Sequence, residues 1–314
     1  MAEKALREIF GEALRDLGKE NEKVVVLDAD LSSATRSILF GKEFPDRFFN
    51  VGIAEANMVS IAAGLSTCDL IPFATTFSFL FALRTTDQIR SQICYPNLNV
   101  KIVGTNGGLS GFGDGATHQT TTDISIMNSL PNMKIMVPSD EPTMHWVINE
   151  AAKIDGPVFI RVPRVGAPVL HTSDCKFEVG KGVLHREGKD VTIVTTGMML
   201  QYSIEAAEKL AAEGIEAEVI EMITIKPLDK EILLNSAKKT GTVVTTEEHS
   251  RYGGLFSIVS ETLSETYPVP VRPVAIEDRF GESGEYWQIL QACGLTTEHI
   301  IEEAHKSISM KKYK

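Results

Sequence analysis

Short β-branched runs alternate with amphipathic stretches along nearly the whole chain, and few architectures accept that pattern. The runs 24–27, 100–103, 134–137 and 158–162 fall in the first half, and 191–195, 217–220, 242–246 and 271–276 in the second. Between them, residues 4–17, 55–65, 142–152, 200–212 and 254–265 carry apolar side chains at helical spacing. A chain that alternates strand and helix buries both kinds of apolar face when helical crossovers return the strands parallel. The expected fold class is therefore α/β: two doubly wound domains with mostly parallel sheets. Segment 165–188 interrupts the rhythm with Gly, Pro and charged residues, so the expected domains are 1–170 and 188–314.

Composition narrows the function. At 314 residues there is room for two cores, and 43% hydrophobic with 23% charged residues is ordinary for a water-exposed globular protein. A net charge of −11 excludes nucleic acid and anionic membrane as natural partners, although a few converging arginines could still bind a small anion. Cys68, Cys94, Cys175 and Cys293 are far apart and form no C-x-x-C pair, which suits thiols in a reducing cytosol. Met1-Ala2-Glu3-Lys4 has no apolar signal core. The most apolar stretch, 70–83, contains Pro72 and several Thr and Ser, and is shorter than the roughly 20 residues a helix needs to cross a bilayer. A cytoplasmic location is expected.

Two stretches stand apart from this scaffold pattern: Val51-Gly52-Ile53-Ala54-Glu55-Ala56-Asn57-Met58, and Gly113-Asp114-Gly115-Ala116-Thr117-His118-Gln119. Glu55 begins an apolar-periodic run and so opens a helix. Alone, an acid there complements the positive helix end, worth about 0.3–1 kcal/mol. Phe73, Phe77, Phe79 and Phe81 form a close group that could simply be core. Gly111, Gly113 and Gly115 would let a backbone approach a ligand closely. Glu247, Glu248 and His249 look like a metal cluster, but consecutive residues on a strand point to opposite sides, so no metal site is expected there. Gly253 and Gly254 are expected to permit tight packing at a helix start.

Together the two stretches resemble the pyrimidine-binding domain of transketolases, thiamine-diphosphate enzymes that move two-carbon ketol units. The resemblance implies that Glu55 is catalytic. The family's glutamate bonds to N1′ of the aminopyrimidine, favouring the imino tautomer that deprotonates C2 of the thiazolium. It also implies cofactor contacts from Phe77, whose ring would stack on the pyrimidine, and from Ile53 and Asp30. His118 would bond to the donor near C2 and move a proton as the C–C bond breaks. Asp114 would contact a sugar hydroxyl. Because Ala116-Thr117-His118-Gln119 marks the substrate loop, Gly113-Asp114-Gly115 is not the family's metal-binding Gly-Asp-Gly, and this chain is expected to hold no metal. Arg164 and Arg7 match arginines that grip a substrate anion bidentately. Two positions depart from the pattern: Asn106 stands where many transketolases have a histidine, and Ala34, beside Ser33, where they have a serine. The expectation is a substrate other than the standard pentose phosphates, with a different anionic end.

Residues from about 189 onward are similar to the transketolase C-terminal domain, through Thr245-Thr246-Glu247-Glu248-His249 and Tyr252-Gly253-Gly254; dimer assembly is its expected task. With no room ahead of the first motif for a diphosphate-binding domain, the resemblance implies the C-terminal subunit of a split, two-subunit transketolase. An N-terminal partner subunit would supply the diphosphate site and a divalent metal, Mg or Ca, in an α2β2 assembly. Three alternatives remain open on sequence: the β chain of a 2-oxo-acid dehydrogenase, a deoxyxylulose-phosphate-synthase-like enzyme, and a non-catalytic scaffold. The substrate loop and Ser129-Leu130-Pro131-Asn132 favour transketolase, and retention of Glu55 and His118 argues against a scaffold.

Overall fold

A computed structural model describes residues 4–172 and 174–311; the leader reading of Met1–Glu3 lies outside them. The described residues form twelve strands. They are β1 (Val24–Asp28), β2 (Phe48–Asn50), β3 (Ile71–Phe77), β4 (Lys101–Thr105), β5 (Lys134–Met136) and β6 (Val158–Val162), then β7 (Val183–Arg186), β8 (Val191–Thr195), β9 (Ala217–Glu221), β10 (Thr224–Lys226), β11 (Val243–Ser250) and β12 (Val271–Ile276). One sheet has seven strands in the order β10-β5-β6-β4-β3-β1-β2; the other has five, β12-β11-β8-β9-β7. All pairings are parallel except β10 with β5 and β7 with β9, both at sheet edges.

The apolar side chains sort by strand period. In the first sheet Val24, Val26, Phe73 and Val103 face one helical layer, while Leu27, Ala74 and Ile102 face the other. In the second sheet Val191 and Ile193 oppose Val194 in the same way. Strands covered on both faces bury every position, as β1, β4, β6 and β8 do, with neighbours such as Val26 and Leu27 or Ile102 and Val103 facing opposite layers. Helix starts follow their caps: Asp140 accepts from Thr143 N at the head of the helix Glu141–Lys153, and Asp229 does the same for Lys230–Thr240.

Several elements depart from the sequence reading. The stretch 70–83 is two elements, β3 and the helix Ser78–Arg84; the hydroxyl of Thr75 on β3 is satisfied by Leu27 O at 3.0 Å and by Asp28. Segment 165–188 is not all linker, since β7 lies inside it and joins the second sheet. β10, from the second half of the sequence, pairs with β5 in the first sheet. The core crosses between domains as well: Met198 and Ile223 pack into the first domain's apolar layer, and Leu109 into the second's.

Candidate active site

The site begins where β1, β3 and β4 end. Asp28, wholly buried, accepts hydrogen bonds from Leu31 N (2.6 Å), Thr35 Oγ1 (2.8 Å), Ser37 Oγ (2.9 Å) and Thr75 Oγ1 (2.9 Å). Burial pushes its carboxyl upward while these four donors pull against it. The knot fixes the loop that follows, where Asp30 adopts a left-handed φ of 64°. Asn50, ending β2, clamps that loop: its Oδ1 accepts from Asp30 N (3.1 Å) and Gly52 N (3.0 Å), and its Nδ2 donates to Asp30 Oδ1 (2.9 Å). One side chain thus holds both the Asp30 turn and the approach to Glu55.

Glu55 is the first residue of the helix Glu55–Ser66, with a side chain only 7% exposed. Arg84 Nη1, from the end of the helix Ser78–Arg84, lies 3.3 Å from Glu55 Oε1. The carboxylate borders an open cleft of about 200 Å³ shared by Asp30, Ile53, Phe77, Phe79, Arg84 and His118. Five of the sequence candidates therefore meet: Asp30, Ile53, Glu55, Phe77 and His118. Phe79 and Arg84 also line this cleft, unforeseen from sequence. Phe73 and Phe81 are core, but the Phe79 ring meets His118 edge-on with centroids 5.2 Å apart, and Phe77 does so at 6.1 Å.

His118 rides on a loop braced by the second domain. Leu109 N donates to Glu248 Oε1, Gln119 Nε2 donates to Glu282 O (2.7 Å), and Tyr286 OH donates to Glu248 Oε2 (3.0 Å). Beneath it, Arg161 bonds through Nε to Asp123 Oδ2 (2.8 Å) and through Nη2 to Thr120 O (3.0 Å) and Glu248 O (2.8 Å), all buried. Thus the second domain braces the loop that carries His118. Among the glycines expected to admit a ligand, Gly111 and Gly115 instead admit protein: an added Cβ would fall 2.6 Å from His118 O and 2.4 Å from Ser283 Oγ. Gly113 has open space.

In Glu247-Glu248-His249, strand alternation turns Glu248 away from the other two, while His249 Nδ1 lies 3.8 Å from Glu247 Oε2. Glu247 accepts from Leu255 N (2.6 Å) and Phe256 N (2.8 Å) at a helix start, Glu248 serves the loop, and His249 accepts from Ser125 N (3.3 Å). A Cβ on Gly254 would lie 2.2 Å from Glu247 Oε2, so the glycine makes room for that carboxylate.

A second cluster gathers the anion candidates. Arg164 Nη1 pairs with Asp114 Oδ2 at 2.9 Å and lies over the Phe112 ring. Arg7 donates to Ala34 O (3.3 Å), beside the exposed Ser33, while its Nε is buried without a partner. Burial, then the nearby positive charge of Arg164, lowers the Arg7 pKa. Asn106, at the end of β4 with φ 56°, has a buried Oδ1 that also lacks a partner.

The cleft fits an aminopyrimidine: a recessed carboxylate for a ring nitrogen, aromatic and aliphatic side chains for its faces, and an open mouth. Among the described residues, the one group of His, Cys, Asp and Glu that could hold a metal ion lies elsewhere, at His171, His185 and Glu221. No helix of the described residues is long and apolar enough to cross a membrane.

Comparison with known proteins gives a consistent answer. Residues 2–168 match the family model "Transketolase, pyrimidine binding domain" and 180–300 match "Transketolase, C-terminal domain". A Methanocaldococcus jannaschii protein named for a transketolase C-terminal section is 43% identical, covering 95% of this chain and 94% of its own length. A 6-deoxy-6-sulfo-D-fructose transketolase subunit of Clostridium sp. (strain MSTE9) is 40% identical over 98% of this chain and 96% of that one. The solved structure of a split-gene transketolase, described as an inactive beta4 tetramer, superposes with a TM-score of 0.90 at 48% identity, covering 98% of this chain and 99% of the other.

Proposed function

Because the chain belongs to the transketolase family, with the pyrimidine-binding and C-terminal domains in order, we propose that it is the catalytic C-terminal subunit of a split transketolase transferring a ketol unit between anionic sugars. The observation that carries this reading is Glu55, recessed at a helix start on a cleft it shares with Phe77 and His118. Thiamine diphosphate, when bound, supplies the carbon nucleophile and electron sink for making and breaking the ketol C–C bond. Glu55 would hold a proton at N1′ of the aminopyrimidine, and Phe77, Ile53 and Asp30, which line the same cleft, would hold the ring. Arg84, 59% exposed and 3.3 Å from Glu55 Oε1, borders the mouth through which the ring would enter.

At the substrate end, His118 bonds to the donor hydroxyl and moves its proton, and Asp114 takes a further hydroxyl. Arg164 and Arg7 grip the anionic end, with Asn106 and Ser33 nearby. Relatives named for 6-deoxy-6-sulfo-D-fructose and for apulose 4-phosphate support a non-standard sugar, as do Asn106 and Ala34. A kcat/KM for xylulose 5-phosphate in the usual transketolase range would sink that part.

An N-terminal partner subunit supplies the diphosphate site and a divalent metal, Mg or Ca, within an α2β2 assembly in the cytoplasm. In support, Ile53, Leu83 and Phe280 stand 77%, 66% and 84% exposed, apolar surface that a monomer would not normally leave bare. The isolated chain should bind thiamine diphosphate weakly, and calorimetry giving micromolar affinity would contradict this. The central test reconstitutes both subunits. Glu55→Gln should lower ketol transfer by roughly 10²–10⁴-fold while assembly persists. Transfer within tenfold of wild type, oxo-acid decarboxylation instead of transfer, or assembly without turnover would each overturn the assignment.

A further inference from the structure

Away from the cleft, where the linker meets the second sheet, four polar side chains meet in a buried pocket. His171 follows the first domain, His185 lies on β7, and Glu221 ends β9. Their side chains are 0%, 10% and 0% exposed, and one ligand atom from each lies within 4.8 Å of the others. Asp140, which caps the helix Glu141–Lys153, fixes the first imidazole: its Oδ2 is 2.9 Å from His171 Nδ1 and also accepts from His171 N (3.0 Å) and Leu170 N (3.0 Å). Asp140 on Nδ1 fixes the ring, so an ion that displaced the Nε2 proton would meet a lone pair aimed at Glu221.

That other nitrogen is the anomaly. His171 Nε2 lies 2.9 Å from Glu221 Oε2, yet it is buried without a hydrogen-bond partner, and Glu221 Oε1 is likewise buried and unpaired. His185 Nε2 reaches the same Oε2 at 3.0 Å. Two imidazole nitrogens thus converge on a single carboxylate oxygen. We propose that His171, His185 and Glu221 bind a divalent transition-metal ion, Zn²⁺ by ligand type, which pins the interdomain linker to the second sheet. Two imidazole nitrogens and a carboxylate are a Zn²⁺ donor set. Bound through Oε2, Glu221 would supply the third donor, with the fourth tetrahedral position left to a water. The N···O separations need open by only about 0.4 Å to match the roughly 3.4 Å edge of a tetrahedron with bonds near 2.0–2.1 Å. Charge balances too: carboxylates of Asp140 and Glu221, two neutral imidazoles and one dication sum to zero, so nothing unpaired is left buried.

The test uses the full chain, stripped with chelator and titrated with metal. Zn²⁺ should bind with one equivalent per chain and raise the thermal midpoint by about 5 °C or more at a hundredfold excess over Kd. Co²⁺ should give the intense visible bands of a tetrahedral site. His185→Gln, on the pocket rim, should abolish both responses with the far-UV spectrum unchanged, as should Glu221→Gln if it folds. Absence of a stoichiometric response in the wild-type chain would overturn the proposal, whatever the variants do. So would retention of the bands by folded His185→Gln, which would put the ion elsewhere.

Discussion

Replacing Asp123 with alanine tests the idea that a buried ion pair, rather than apolar packing alone, holds the His118 loop between the domains. The carboxylate accepts from Arg161 Nε at 2.8 Å and Ser78 Oγ at 2.7 Å, with no solvent exposure. Without it, Arg161 keeps two carbonyl acceptors, Thr120 O and Glu248 O, but loses its direct counter-charge. Removing one member of a buried pair typically costs about 3–5 kcal/mol, mostly from stranding the other charge. The nearby acids Glu247 and Glu248 offset some of that, which favours the lower end. At roughly 2–3 °C per kcal/mol for a chain of this size, the melting midpoint should fall by about 6–12 °C. Asp123→Asn keeps an acceptor and should lose about half as much. Urea unfolding of Asp123→Ala, Arg161→Met and the double variant would measure the coupling, which should exceed about 1.5 kcal/mol. A loss below about 1 kcal/mol for Asp123→Ala, or additive single variants, would refute the reasoning.

Two further outcomes follow from side chains already described. Burial pulls the Lys101 amine down to about 7, and its Nζ donates to Ile154 O and Gly156 O, two acceptors that suit the two protons of a neutral amine. The unfolded chain keeps its proton up to 10.5, so between about pH 7 and 10.5 the folded state binds fewer protons and wild-type stability rises with pH. Relative to Lys101→Met, urea midpoints should therefore diverge in favour of wild type by up to about 1.4 kcal/mol per pH unit, and a flat or falling difference would contradict this. Arg164→Leu in the reconstituted enzyme should raise KM for an anionic donor tenfold or more and leave KM for an uncharged analogue within twofold; equal effects on both would remove Arg164 from the anion site.

Much of this was legible in the sequence because the signals were periodic. Strands covered on both faces, such as β1, β4 and β6, announce themselves as short β-branched runs, and helices with one buried stripe keep the 3.6 spacing. β3 was hidden by Pro72 and three polar or aromatic neighbours, Thr75, Thr76 and Phe77, whose burial is explained only by partners distant in sequence. β2 and β10 are three residues each, too short for any period to show. In the candidate site, the motif residues announced themselves because glycines and acids interrupt a scaffold pattern there. Arg84 did not: nothing about an arginine at a helix end says that it faces a glutamate 29 positions away. The linker cluster was equally silent, since His171, His185 and Glu221 share no short spacing and meet only after both sheets have formed. In the adjacent Glu247-Glu248-His249, alternation separates only Glu248 from the other two, whose side chains lie 3.8 Å apart.

β10 carries a lesson for anyone who would cut this polypeptide. Three residues of the later domain complete the margin of the earlier sheet, and Lys226, the last of them, reaches across to the carbonyls of Asn128 and Leu130. Severing the backbone between the domains would leave β5 with a bare, hydrogen-bond-hungry flank, a template for promiscuous strand addition. The two halves are thus heritable as one cassette: recombination that shuffles either alone inherits an adhesive fragment, while exchange of both together preserves a sealed fold.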